Sequence, residues 1–259
     1  MSKINNVISN GQIQRHFYKY KPLNEYAEEM LTTGLVYFNK AEEFNDPYEL
    51  QIEDSGIYTK NDVINYFKNN SAEKMSDAAA IHLADDVCKQ HPNIGEFLKK
   101  ILEQTKKHSR EKAGILCLAK SFENILMWAH YADSHRGFAL EVDISVLEDR
   151  FFPLKVRYEK NIPHMEYLKD PNEFFINWAL TKSTHWEYEE EYRMIIRDCS
   201  KQRKFLFPKQ SFSKVYWGLN VDLKKRDEII AKMKENGFPT EFYQEKLNQQ
   251  SYQVIFEKI

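Results

Sequence analysis

Short alternating stretches and helically spaced stretches divide the chain into two kinds of element. His16 to Tyr20 reads as a strand after a polar start. Leu23, Tyr26, Ala27, Met30 and Leu31 then fall on one helical face, and Gly34 fits the residue that ends that helix. Leu35 to Phe38 is a short second strand. Asn45-Asp46-Pro47 is a turn signal, because Asn and Asp bond their own backbone and Pro fixes φ. The span 61–108 has diluted apolar content. It predicts one helix over Asn61–Asn70 and two more over Asp77–Lys107, broken near Pro92.

After Gly114 the pattern changes. Strands are expected over Ile115–Ala119, Gly137–Val142, Leu154–Tyr158, Met194–Ile196, Val215–Trp217 and Tyr252–Phe256. Helices are expected over Asn124–Ala132, from Pro171 to about Lys182, and over Asp222–Asn236. Runs of strands with helices set apart predict an α+β fold: a mixed or antiparallel β-core, peripheral helices and a helical insertion. No repeat or low-complexity linker interrupts residues 1–259. One domain is therefore expected, with the insertion at about 61–108.

Charge and cysteine usage narrow the function classes. There are 37 Lys and Arg against 39 Asp and Glu, a net charge of -2. Nucleic-acid binders usually carry a positive excess, so nucleic acid is not indicated, and the basic run Lys201–Lys204 reads as a solvated loop. Cys88, Cys117 and Cys199 are odd in number and far apart, which argues against a disulfide framework and for a cytoplasmic location. No stretch approaches ~18 consecutive apolar residues, so no membrane partner is expected.

Four segments are richer in polar and aromatic residues than a core or a plain surface needs. They are Tyr18-Lys19-Tyr20-Lys21, Phe44-Asn45-Asp46-Pro47, Met127 to Tyr131 continuing through His135 to Glu141, and Lys182 to Arg193 with Trp186 between. On a strand, Glu189, Glu191 and Arg193 would share one face, with Tyr188, Tyr192 and Met194 toward the core. Two adjacent carboxylates repel unless a cation lies near, and Arg193 and Lys182 are candidates for that cation. A structural reading also holds: a charge ladder, or a helical Glu189–Arg193 pair. His130 and His135 lack the i,i+4 spacing of a helical zinc pair and no Cys joins them, so no metal ligand is assigned. Eight glycines form no phosphate loop, dinucleotide fingerprint or nucleophile elbow. The cofactor is unknown from these patterns.

These four segments, in this order, resemble a bacterial family catalogued as domain of unknown function 2971. The family pattern runs Tyr-Lys-Tyr-Arg, Phe-Asn-Asp-Pro, Met-Trp-x-x-Tyr with a following Gly and acidic strand, then Lys-x-x-x-Trp-x-Tyr-Glu-x-Glu-Tyr-Arg. The chain matches from about Tyr18 to Gly218. It departs at Lys21, where Arg is usual, and at Asn39, where a small hydroxyl residue is common. Lys21 keeps the charge but not the planar fork that grips an anion in two bonds.

The resemblance implies no activity, and three readings stay open. The first is a non-catalytic module that binds or senses a nucleotide or peptide in a defence or stress system. Tyr18, Lys19, Tyr20, Lys21, Asn45, Asp46, Trp128, Tyr131, His135, Lys182 and Trp186 are its candidate ligand contacts. A small-molecule or nucleotide ligand fits it, and so does a protein partner. The second is an enzyme resembling ADP-ribosyltransferases that cleaves a glycosidic bond of NAD. Glu191 or Glu189 would stabilise an oxocarbenium-like sugar beside Arg193. The third is a metal-dependent nuclease or hydrolase, which needs Asp46, Glu141, Glu189 and Glu191 to converge on one ion.

Overall fold

Alternation along the central strands builds a sheet with two unlike faces, and the candidate residues of its central strand divide between them. The computed structural model describes residues 2–54, 56, 58–70 and 75–259 and has the expected α+β architecture. Its contacts gather in two units. One holds Met1–Glu43, Ala113–Val156 and His185–Ile259; the other holds Phe44–Lys112 and Arg157–Thr184.

The first unit contains an eight-stranded sheet. Its spatial order is Ile255–Lys258, Glu241–Lys246, Phe212–Trp217, Phe138–Asp143, His16–Lys21, Gly114–Ala119, Glu191–Ile196 and Leu154–Lys155. All neighbours are antiparallel except Phe212–Trp217 with Glu241–Lys246. One face is aliphatic and aromatic: Phe17, Leu116, Leu118, Phe138, Leu140, Val142, Met194, Val215 and Trp217. Helices Glu25–Thr33 and Leu223–Glu235 close it with Ala27, Met30, Leu31, Ile229 and Met233. The other face carries Tyr20, Ala119, Ala139 and Tyr216 under the short helix Ile125–Tyr131, which supplies Met127 and Trp128.

Local signals explain the element ends. Asn24 caps the helix Glu25–Thr33 by accepting the Ala27 N–H, and Gly34 ends it in the left-handed region at φ 81°, as the sequence predicts. Asn124 and Asp222 cap their helices in the same way. Some boundaries differ from expectation. The strand read as Leu154–Tyr158 is two strands, Leu154–Lys155 and Arg157–Glu159, in different sheets. The closing strand begins at Ile255, not Tyr252, whose side chain is 99% exposed and has nothing to pack against.

The second unit holds the helices Lys60–Asn70, Asp77–Gln90 and Ile94–Lys112, the last running past the expected end at Lys107. Pro171–Leu180 starts with Pro in its first turn and Asp170 as its cap. Two short parallel pairs, Glu53–Asp54 with His164–Met165 and Arg157–Glu159 with Thr181–Ser183, complete the unit. Tyr58, Val63, Ala84, Leu98 and Leu168 form one buried cluster of the unit. No helix among the described residues is long and apolar enough to cross a membrane.

Gly137 holds the sheet entry against the end of the His16–Lys21 strand. A Cβ there would lie 2.1 Å from the Lys21 carbonyl oxygen, a backbone atom that cannot swing away. Gly137→Ala is expected to cost about 1–3 kcal/mol in urea unfolding. Gly95→Ala, whose added Cβ would meet only the Asn93 Oδ1 at 3.8 Å, should leave stability unchanged or slightly raised.

Candidate functional site

Tyr18 and Tyr20 share the aromatic face of the first unit's sheet because they alternate with Phe17 and Lys19. Opposite Tyr18 stands Glu141, only 3% exposed. Its carboxylate accepts the Tyr18 hydroxyl at 3.0 Å and the Tyr216 hydroxyl at 3.4 Å, and the Lys214 ammonium lies 3.4 Å away. Burial first, and then the Glu141 charge, push both phenols well above their ordinary value. The Tyr20 hydroxyl donates to the Ser121 carbonyl, and its ring meets Trp128 edge-on at 5.3 Å.

Trp128 is fully buried and donates its indole N–H to the Phe122 carbonyl at 2.7 Å. Tyr131, half-buried, donates to the Glu189 carboxylate. His135 sits in a run of left-handed residues, Asp133, Ser134 and His135. Its Nδ1 lies 2.9 Å from each oxygen of buried Glu245, and its ring stacks on Trp128. Glu245 also accepts the Leu219 N–H at 2.8 Å, so it fixes both the loop and the imidazole.

The expectation that Glu189, Glu191 and Arg193 share one strand face is corrected. Glu189 ends the 3-10 turn Thr184–Glu189, and Glu190 at φ 41° redirects the chain before the strand Glu191–Ile196 begins. Alternation therefore starts at Glu191. Tyr192 packs on Phe17 and Met194 is in the core, as expected. Tyr188 instead joins the Trp128 cluster, 2.8 Å from His130 Nδ1.

Arg193 is 0% exposed and grips Glu191 with two bonds, Nε to Oε1 at 2.8 Å and Nη2 to Oε2 at 3.0 Å. Cys117 faces Arg193 across the strands. Burial, and next the Glu191 carboxylate, push its thiol far up, while Arg193 and Lys19 act against the rise. The Lys19 ammonium donates to the Cys117 carbonyl at 2.9 Å. It reaches there because the strands His16–Lys21 and Gly114–Ala119 share a single register pair, Tyr18 with Ala119.

Asn45, Asp46 and Lys182 belong to the second unit. Asn45 is exposed. Asp46 is buried and makes the predicted turn, its Oδ1 accepting the Tyr48 N–H at 2.9 Å. Lys182 is buried with its ammonium 3.8 Å from Glu49. Trp186 lies in the first unit, half-buried, its ring 6.1 Å from that of Tyr188.

Lys21 turns away from Tyr18 and Tyr20 into a cavity of about 430 Å³ within the first unit. Asn24, Tyr26, Glu29, Tyr37, Asn39, Glu43 and Lys204 are among its walls. Lys204 pairs with Glu29 at 2.5 Å, and Tyr37 donates to Glu43 at 3.0 Å. The Lys21 ammonium has no hydrogen-bond or ion-pair partner among the described residues. Burial, and then neighbouring Lys19, lower it to about 8, with Glu43 acting weakly the other way. Sequence reasoning did not find Tyr37, Glu43 or Lys204. Tyr37 had a signal, as the position between buried Val36 and Phe38, and Lys204 was visible as the end of the basic run read as a solvated loop, where the structure instead starts the strand Lys204–Leu206.

Among the described residues, no group of three His, Cys, Asp or Glu side chains could hold a metal ion. In the first unit, Glu141 accepts from the tyrosines, Glu189 accepts from Tyr131, and Glu191 accepts from Arg193.

Residues 127–194 match the family model described as a protein of unknown function, DUF2971. The resemblance read from the motifs is thereby borne out over this stretch, which contains Trp128, Tyr131, His135, Lys182 and the Glu191–Arg193 pair. No curated protein and no solved structure matches the chain.

The Glu191–Arg193 pair generates a stability prediction. Glu191→Gln leaves a fully buried guanidinium beside a neutral amide. The expected loss is about 3–5 kcal/mol in urea unfolding. Replacing both, Glu191→Leu with Arg193→Met, should recover most of it, because the uncompensated charge is gone. A double variant as unstable as the single one would contradict this account.

Proposed function

We propose that the protein is a binding or sensing module for a small anionic ligand, of which a nucleotide is the best-fitting class, and that it performs no turnover. The observation that carries this reading is the partnerless Lys21 ammonium at the wall of a cavity. A half-buried cation with no bonded counter-charge is costly, and an anion bonded to it offsets that cost. Lysine binds phosphate as a point charge, so the loss of the arginine fork does not remove this capacity. Tyr26 and Tyr37 supply flat rings, and Asn24 and Asn39 supply amides that can hydrogen-bond a base or sugar.

The glycosidic-cleavage reading is less well supported. A carboxylate that stabilises a cationic sugar must face it. Glu189 and Glu191 are each 4% exposed, and both oxygens of Glu191 are held by Arg193. Incubation with NAD should therefore release no nicotinamide. Release that vanishes in a still-folded Glu191→Gln variant would restore that reading.

The binding reading is tested by titration calorimetry with a panel of nucleoside mono-, di- and triphosphates. Lys21→Met should weaken binding on the order of tenfold or more, as for loss of one charged hydrogen bond worth about 1.5–3 kcal/mol. Affinity for the wild type should also fall between pH 7 and 9. The charged amine is the binding form, and it loses its proton in the free protein near the value of about 8. Lys21→Met should abolish this pH dependence. Equal affinity for wild type and variant would remove Lys21 from the site.

A further inference from the structure

We infer that Lys21 is a carbonyl-capturing nucleophile: its cavity takes a small aldehyde or ketone and holds it as an imine on Nζ. The inference deepens the proposed function and rests on the same reading of the cavity as a ligand site. Three features point to it. The Lys21 amine is set into a cavity wall with no hydrogen-bond partner of its own. A second cation, Lys19, acts on it from the same strand, an arrangement that activates lysine as a nucleophile. An acid–base couple stands at the same cavity: the Tyr37 hydroxyl donates to Glu43, whose charge also reaches Lys21.

The chemistry balances without an oxidant or reductant. The Nζ lone pair attacks the carbonyl carbon, and the C=O π electrons move to oxygen, which takes one proton from the attacking nitrogen. The resulting carbinolamine loses its hydroxyl as water with a proton delivered from the Tyr37–Glu43 couple, and the remaining Nζ proton returns to that couple. Amine plus carbonyl gives imine plus water, and hydration reverses the step. With its ammonium lowered to about 8, Lys21 holds a far larger neutral fraction near neutral pH than an ordinary lysine does. Lys204 shares the cavity but is committed to Glu29, and Lys19 is committed to the Cys117 carbonyl. Selectivity for one lysine of the cavity is therefore built into the contacts.

The test uses the full-length wild-type chain and pyridoxal 5′-phosphate as the aldehyde probe. Imines are fixed with borohydride at short times, and peptide mass mapping gives the rate at each lysine. Lys21 should be labelled at least about tenfold faster than Lys204 at pH 7.5. Its rate should climb through pH 8 and level off, while exposed lysines keep rising. Glu43→Gln should slow Lys21 labelling severalfold with an unchanged melting temperature. Labelling spread evenly over the lysines, or Lys21 slower than Lys204, overturns the inference. If a nucleotide still binds in a Lys21-dependent way when labelling is even, the imine fails and the proposed function stands. If neither is seen, both fail.

Discussion

The Arg193 charge, wholly shut away from water, constrains everything around it. A guanidinium does not give up its proton in a protein, so burial forces an ionised partner beside it. Glu191 is that partner, held by two bonds. Burial, and then the Glu191 charge, keep the neighbouring Cys117 thiol protonated. Lys19 extends to the Cys117 carbonyl, where the central strands part after one register pair. Lys21, two residues on and on the same side of its strand, then has no carboxylate bonded to it and a second lysine nearby. The cation left without a mate is the one that lines the cavity.

The two faces of the sheet divide the labour. On the Trp128 face, tyrosines and a buried carboxylate satisfy one another, and Glu245 fixes His135. These polar groups are spent internally, which is how a buried polar network gains rigidity. The motif residues Trp128, Tyr131, His135 and Glu189 belong to this frame. The cavity on the other side keeps groups in reserve: one lysine without a bond, two tyrosine rings and the Asn39 amide. A family pattern rich in tyrosine, glutamate and arginine can thus record the frame more than the chemistry.

Much of the fold was legible in the chain. The strand from His16, the helix ended by Gly34 and the helices that start at Asn124 and Asp222 are local facts, and local signals carry them. Glu189 was misplaced because a single left-handed residue, Glu190, breaks the alternation, and nothing in a Glu-Glu-Glu run marks which residue will turn. Glu245 and Gln244 are both buried on one strand, so no polar–apolar pattern exposed them. Lys204 meets Glu29 from 175 positions away, a pairing that only the folded sheet creates. Lys21 itself was visible as a departure from the family pattern, but its want of a partner was not.

That want of a partner is the central claim, and one spectroscopic titration addresses it most directly. With lysine side-chain nitrogens labelled and Lys21→Met used to assign its signal, the account predicts a Lys21 midpoint near 8 in the ligand-free protein, moving upward when inorganic phosphate is added. A midpoint near the ordinary 10.5, unmoved by phosphate, would mean that Lys21 is well solvated or paired and would contradict the account.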